Sequence, residues 1–243
     1  MATIGYIFKL ILIQPLLNLL VGGYNIIPGH DVGVVIILLT ILVRLILAPS
    51  FHKSIKSQKN MSALQPKLNE MREKHKDDKE AQAKAMMALY KEHNISPFSS
   101  CLPLLIQLPL LIALYQVFII GLHGGTDLGA YLYHFIHNPG TISPYFLHYI
   151  NLAQPSFVLG VIAGIAQYFQ SKMILPAASS SNDSTTKALQ MQTLYILPVI
   201  TIIFSLRLPA GLPLYWLTTT LFSIGQQYYI MRAKPAVLPA VVK

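Results

Sequence analysis

Hydrophobic and polar positions fall into long blocks along this chain. Five blocks, at 32–49, 99–120, 156–175, 191–207 and 210–230, approach or exceed the ~18 apolar residues that a bilayer crossing requires. The last two are separated only by "RLPAGL", whose Pro209 and Gly211 suit a tight reversal. The pattern predicts an all-α polytopic membrane protein with five transmembrane helices. A sixth apolar run, 6–21 within an N-terminal segment 1–31, is interrupted by Lys9, Gln14, Pro15 and Asn18. An uncleaved signal-anchor and a helix lying along the interface both fit it. The interfacial reading is preferred, because polar residues break the run and no small-residue cleavage site follows.

The connections differ in character. Segment 50–95 is polar, 121–155 is rich in Gly, Pro, His and Tyr, and 176–190 contains "AASSSNDSTTK", which reads as a flexible loop at 177–187. Within 50–95, Met61, Leu64, Leu68 and Met71 recur at helical spacing. A second helix near 79–93 offers Met86, Met87 and Tyr90, with "KHKDDK" as the turn between them. The expectation is an antiparallel helical hairpin closed by thin apolar seams, its first arm open to a kink at Pro66. It serves either as a solvated connector held near anionic lipid by Lys53, Lys56 and Lys59, or as a docking arm for a partner.

Charge orients the blocks. Only 11% of the 243 residues are charged, well under the usual quarter of a soluble domain. Segment 50–95 holds ten of the 18 Lys and Arg, whereas 121–155 holds none. The positive-inside rule therefore places 50–95 in the cytoplasm, together with Lys172, Lys187, Arg232, Lys234 and Lys243. Lys9 and Arg207 fall outside. The N-terminus is then extracytoplasmic and the 231–243 tail cytoplasmic. Cys101, the one cysteine, permits no internal disulfide and sits in an apolar run as a small buried residue. His123, His134, His137 and His148 share one loop without a compact ligand spacing, so interfacial histidines fit better than a metal site.

One residue disturbs the first block. Arg44 costs ~2.5–3.5 kcal/mol at a helix centre, and the 13 Val, Ile and Leu around it supply about −4 to −8 kcal/mol, so insertion survives the charge. Arg44 lies about 7 Å above Pro49. Two readings follow: it snorkels to the inner headgroups, or it lines a water-filled cavity open to the cytoplasm. Thr40 sits one turn away on the same face. Gln107 stands between Pro103 and Pro109, and Gln167 follows the Gly160/Gly164 pair by three residues. The last block carries Tyr215, Trp216, Thr218, Thr219, Thr220, Gln226 and Gln227. No block contains Asp or Glu, so the guanidinium has no intramembrane carboxylate, which favours a hydrated groove over an ion pair.

Taken in order, three stretches resemble one family, the YidC/Oxa1/Alb3 membrane protein insertases. "GVVIILLTILVRLILAP" resembles the family's first core span, with Arg44 at its arginine. The run from "MSALQPKLNEMREKHKDDK" to "SPFSSCLPLLIQLPLLIALY" resembles its cytoplasmic hairpin leading into the second span. "LPAGLPLYWLTTTLFSIGQQYYI" resembles the last span, and the likeness covers about residues 6–231. Thr220 stands where the family often has Asn after its Tyr-Trp, and Ser96-Pro97 where Asn-Pro usually opens the second span.

The resemblance implies five helices around a hydrophilic groove that opens to cytoplasm and lipid and is closed to the outside. It implies an insertase or chaperone of the bacterial plasma membrane rather than an enzyme, with no nucleotide and no metal. Arg44, Thr40, Gln107, Gln167, Tyr215 and Trp216 carry over as groove or substrate-contact residues. The implied partners are newly made membrane proteins and lipids, with the hairpin as the place for ribosome, signal recognition particle and Sec translocon contacts. The chain shows no lipoprotein cysteine and no large extracytoplasmic domain, and the tail after Tyr229 is short. Ribosome contact is therefore expected at the hairpin and loop 177–187. The alternative from a different class is a small anion transporter or channel using Arg44 as its binding charge; a structural subunit of a larger complex is the third.

Overall fold

The computed structural model describes residues 2–93, 96, 102–123, 127–174, 188 and 190–232. Pro97, Cys101, loop 177–187 with Lys187, and the tail beyond Arg232 with Lys234 and Lys243 lie outside these residues.

Among the described residues the regular structure is helical apart from two two-residue strands. Helix α1 (Ala2–Phe8) runs through a π turn at Lys9–Ile13 into α2 (Gln14–Ile26). Then come α3 (Val32–Lys74), α4 (Lys79–Glu92), α5 (Leu102–Leu122), β1 (Tyr145–Phe146), β2 (Ile150–Asn151) and α6 (Phe157–Ile174). A second π turn, Gln192–Ile196, leads into α7 (Leu197–Ser205), and α8 (Gly211–Arg232) closes the bundle. By length and composition, Gly5–Ile26, the apolar part of Val32–Lys74 and Leu105–Leu122 are able to cross a membrane, and Gln192–Ser205 is a shorter apolar helix. At 22 residues α8 is about 33 Å long, enough to cross as well. The all-α architecture expected from the pattern is the one the chain adopts.

The first span and the first hairpin arm are one helix. With 43 residues, α3 extends about 65 Å and passes through both Pro49 and Pro66. Each proline removes one intrahelical bond, but the flanking residues are good helix formers and the helix continues. Asp31 starts it, its Oδ1 accepting from the Gly33 and Val34 N–H groups at 2.8 and 3.1 Å. Asp78 caps α4 in the same way, at 3.0 Å to Glu80 and Ala81. The hairpin closes through buried Leu64, Leu68 and Leu89, with Met61, Met86 and Tyr90 against them. Met87, expected in the seam, is instead about half exposed.

In the bundle, α3 packs along α8, and α6 packs on both α7 and α8. The Gly160/Gly164 pair makes the α6–α7 approach possible: a Cβ on Gly160 would sit 2.5 Å from Ser205 Cβ, and one on Gly164 2.7 Å from Ile202 Cγ1. Helix α5 touches α3 and α8 more sparingly.

The end of the bundle that carries residues 127–156 is closed. Residues of α2, α3, α5 and α8 meet there in one cluster around Leu17, Leu20, Val35, Ile36, Val117 and Phe118. The loop stitches them together. Asn18, buried in α2, donates to Tyr131 O at 3.0 Å and accepts from Tyr133 N at 2.7 Å. Asn25 donates to His137 O at 2.7 Å, and the Tyr24 hydroxyl accepts from Ser143 N at 3.0 Å. Asp31 Oδ2 accepts from Leu147 N at 2.6 Å, fixing the β1–β2 turn to the start of α3. Phe146 lies against Gly33 so closely that no Cβ fits between them. The α7–α8 turn joins in through Ala210 N to Gln154 O and Gly211 N to Leu152 O, 2.9 and 3.0 Å. Buried polar groups at this end are therefore satisfied within the protein.

Candidate functional site

Toward the other end, the hairpin end, the packing changes. The α3 and α8 faces that meet there carry two stripes at helical period. On α3 these are Arg44, Phe51, Ile55 and Gln58; on α8 they are Trp216, Thr219, Thr220, Ser223 and Gln227. Offsets of 7, 11 and 14 residues, and of 3, 4, 7 and 11, keep each set on one face. Gln107 of α5, Gln170 of α6 and Leu197 of α7 complete the wall, so all five bundle helices contribute. The half-open space between them is about 290 Å³, large enough for water beside a polar chain segment.

Arg44 is only 7% exposed and turns into this space. Its guanidinium carbon lies 4.3 Å from the centroid of the Phe51 ring. Its Nη1 is buried and meets no acceptor among the described residues. The Gln227 Oε1, also buried, meets no donor among the described residues. Among the described residues Arg44 is the one charged residue in the wall, and no carboxylate lines it. The inward position disposes of the snorkelling alternative, because that geometry would bring the head group to the outer surface of the bundle.

The six residues singled out from the sequence fall into three groups. Arg44, Gln107 and Trp216 line the cavity. Tyr215 stands behind it, buried, its hydroxyl accepting from Gln107 Nε2 at 2.9 Å and so tying α5 to α8. Thr40 and Gln167 face elsewhere: the Thr40 hydroxyl donates to Ile36 O at 2.6 Å within its own helix, and Gln167 accepts from Thr201 Oγ1 across the α6–α7 contact. A helical threonine readily bonds back to the i−4 carbonyl of its own helix, which sequence spacing alone does not reveal. Gln170, one turn beyond Gln167, is the glutamine of α6 that reaches the cavity.

Sequence reasoning missed Phe51, Ile55, Gln58, Gln170 and Ser223. The signal for the first three was present, since each keeps Arg44's helical phase. It was hidden by ending the span at Pro49. Thr219, Thr220 and Gln227 were visible as polar residues of the last span but were not picked out as one stripe.

Other ties frame the cavity. Gln226 Nε2 donates to Ala48 O at 3.2 Å, and Lys59 Nζ donates to Ile230 O and Met231 O at 3.4 and 3.2 Å. Lys59 thereby caps the C-terminus of α8, where a cation is favoured. A larger recess of about 380 Å³ lies between α2 and α3, but its lining is Leu, Ile, Val and Gly alone. It suits hydrocarbon chains and offers no chemistry. Among the described residues no cluster of three His, Cys, Asp or Glu could hold a metal.

Comparison with known proteins gives a consistent picture. A family model described as "60Kd inner membrane protein" matches residues 24–236. Curated relatives named "Membrane protein insertase YidC" include one from Geobacter sulfurreducens, 35% identical over 224 residues, covering 91% of this chain and 37% of the relative. One from Syntrophus aciditrophicus is 37% identical over 221 residues, 90% of this chain and 36% of the relative. One from Fusobacterium nucleatum is 35% identical over 201 residues, covering 82% of this chain and 86% of the relative. The chain thus spans little more than a third of the length of the first two and most of the third.

Proposed function

Because this chain belongs to the 60Kd inner membrane protein family, that of the YidC/Oxa1 insertases, we propose that it inserts newly made membrane proteins into the bacterial inner membrane, using the Arg44 cavity to receive their polar flanks. The observation that carries this reading is a buried guanidinium with a free Nη1 in a polar space without a carboxylate. Such a site favours an incoming Asp or Glu. At contact, and at an effective dielectric of ~20, the attraction is about 4 kcal/mol, enough to retain a substrate carboxylate and still release it.

The charge pattern supports an orientation with the hairpin in the cytoplasm and loop 127–156 outside. On that orientation α2 lies along the outer face: its Asn18, Tyr24 and Asn25 and the preceding Lys9 all reach the loop over about 24 Å of helix. A cavity at the cytoplasmic end and a packed outer end shorten the hydrocarbon path for a polar flank without opening a pore. The α5 seam, sparsely packed against α3 and α8, is the side from which a substrate helix would leave for the lipid. The hairpin, with its Lys-rich arms, is the surface for ribosome, signal recognition particle or Sec contacts. The anion-transporter alternative lacks support, since the relatives are named as insertases.

Reconstituted protein carrying Arg44→Ala is expected to insert a single-span substrate with an acidic translocated tail at least tenfold more slowly. Arg44→Lys should retain most of the rate, and a neutral tail should be little affected. Wild-type rates for Arg44→Ala with acidic tails would remove the basis of the mechanism.

A further inference from the structure

Phe51 lies seven residues beyond Arg44 on α3, two helical turns away and within about 20° of the same face. Helical side chains lean toward the N-terminus, so the Phe51 ring is carried back toward Arg44 while the long arginine reaches forward. The two meet with the guanidinium carbon 4.3 Å from the ring centroid, and both residues are 7% exposed. Pro49 between them does not interrupt the helix.

A guanidinium stacked on an aromatic face keeps its charge favourably placed while its N–H groups, which lie in the cation's own plane, point away from the ring. Here the guanidinium carbon lies over the ring at 4.3 Å from its centroid, and Nη1 meets no acceptor among the described residues. A fork held in this way is ready for bidentate pairing with a carboxylate, and it loses less side-chain freedom when the carboxylate arrives. A carboxylate in place of Phe51 would also hold the arginine, but it would occupy the N–H edge and compete with the substrate.

We infer that Phe51 is a positioning residue for the Arg44 cavity: its ring orients the guanidinium so that the N–H edge is presented to an acidic group of the inserting chain. This rests on the insertase reading above and adds a specificity determinant to it. Phe51 gives no advantage to a substrate whose translocated flank is neutral.

The test uses full-length protein in proteoliposomes, with phenylalanine analogues of increasing fluorination at position 51. These weaken the ring's attraction for a cation in steps while nearly preserving its shape. Two single-span substrates are compared, one with Asp and Glu in its translocated tail and one with Asn and Gln in their place. Insertion of the acidic substrate should fall stepwise, by roughly five- to thirtyfold at full fluorination, while the neutral substrate stays within about twofold. Phe51→Trp should retain the acidic preference, and Phe51→Met, similar in bulk but without an aromatic face, should lose it. A flat response, an increase with fluorination, or equal loss for both substrates would overturn the assignment. Arg44→Ala is run alongside. If it leaves acidic insertion intact, the insertase mechanism itself fails; if it abolishes the preference while the fluorine series is flat, only the role of Phe51 fails.

Discussion

Helices α3, α5 and α8 run through both halves of this bundle, yet the halves are built in opposite ways. In the loop-end half Val35, Ile36, Val117, Phe118 and Leu17 are 2% exposed or less, and the buried Asn18 bonds through both its amide nitrogen and its oxygen. In the hairpin half, Arg44 Nη1 and Gln227 Oε1 are buried without a partner among the described residues, around a cavity of about 290 Å³. One half supplies tight packing, which is the main source of helix association where lipid is as apolar as leucine. The other keeps polar groups unpaired, at a cost of about 1–3 kcal/mol for each one that stays dry. The difference fits the proposed reading, in which the packed half holds the helices in register and the cavity half receives the substrate.

The comparison breaks first where packing is removed. Phe118→Ala in the dry half should lower stability by about 3–5 kcal/mol, read as a fall in Tm in detergent. The remaining folded protein should keep its preference for acidic substrates. Gly164→Val attacks the α6–α7 approach, and a cost near 2 kcal/mol is expected from the clash with Ile202; co-purification of full-length folded protein at wild-type Tm would contradict the close contact. Asp31→Ala removes both the α3 cap and the partner of Leu147 N, for about 1–2 kcal/mol. Hydrogen exchange at 145–151 should quicken, whereas exchange in the hairpin should not.

In the wet half the sign reverses. Gln227→Leu replaces a buried acceptor that lacks a donor, so Tm should rise, by the equivalent of about 1 kcal/mol, while insertion of acidic substrates slows. A fall in Tm would mean that the amide is bonded within the fold and that the two halves are less distinct. The smallest effect is optical. Trp216 is the only tryptophan and lines the cavity, so an aqueous quencher should reduce its emission more than that of a tryptophan placed at 118 in a Trp216→Phe background.

Much of this was legible without coordinates. Block hydropathy pointed to an all-α membrane protein, and Arg44 stood out because a cation in an apolar block is costly wherever it sits. Gln107 and Trp216, reached through the order of motifs, line the cavity. Phe51 and Gln58 were not, because a proline at 49 looks like a helix end to local rules, and only the packing of α3 along α8 lets the helix run on. Thr40 and Gln167 were misjudged for a related reason. Spacing puts a polar side chain on a face, but whether it turns to its own backbone, to a neighbouring helix or to open space depends on the nearest competing partner.

The sequence by itself therefore determined composition-scale properties: membrane residence, all-helical class, charge asymmetry, and one cation within an apolar block. These follow from transfer energies that add along the chain. Which polar residues share one cavity, which end of the bundle is closed, and that Arg44 rests on an aromatic ring were decided by tertiary structure. Those outcomes depend on distances between helices far apart in sequence, and no local free energy encodes them.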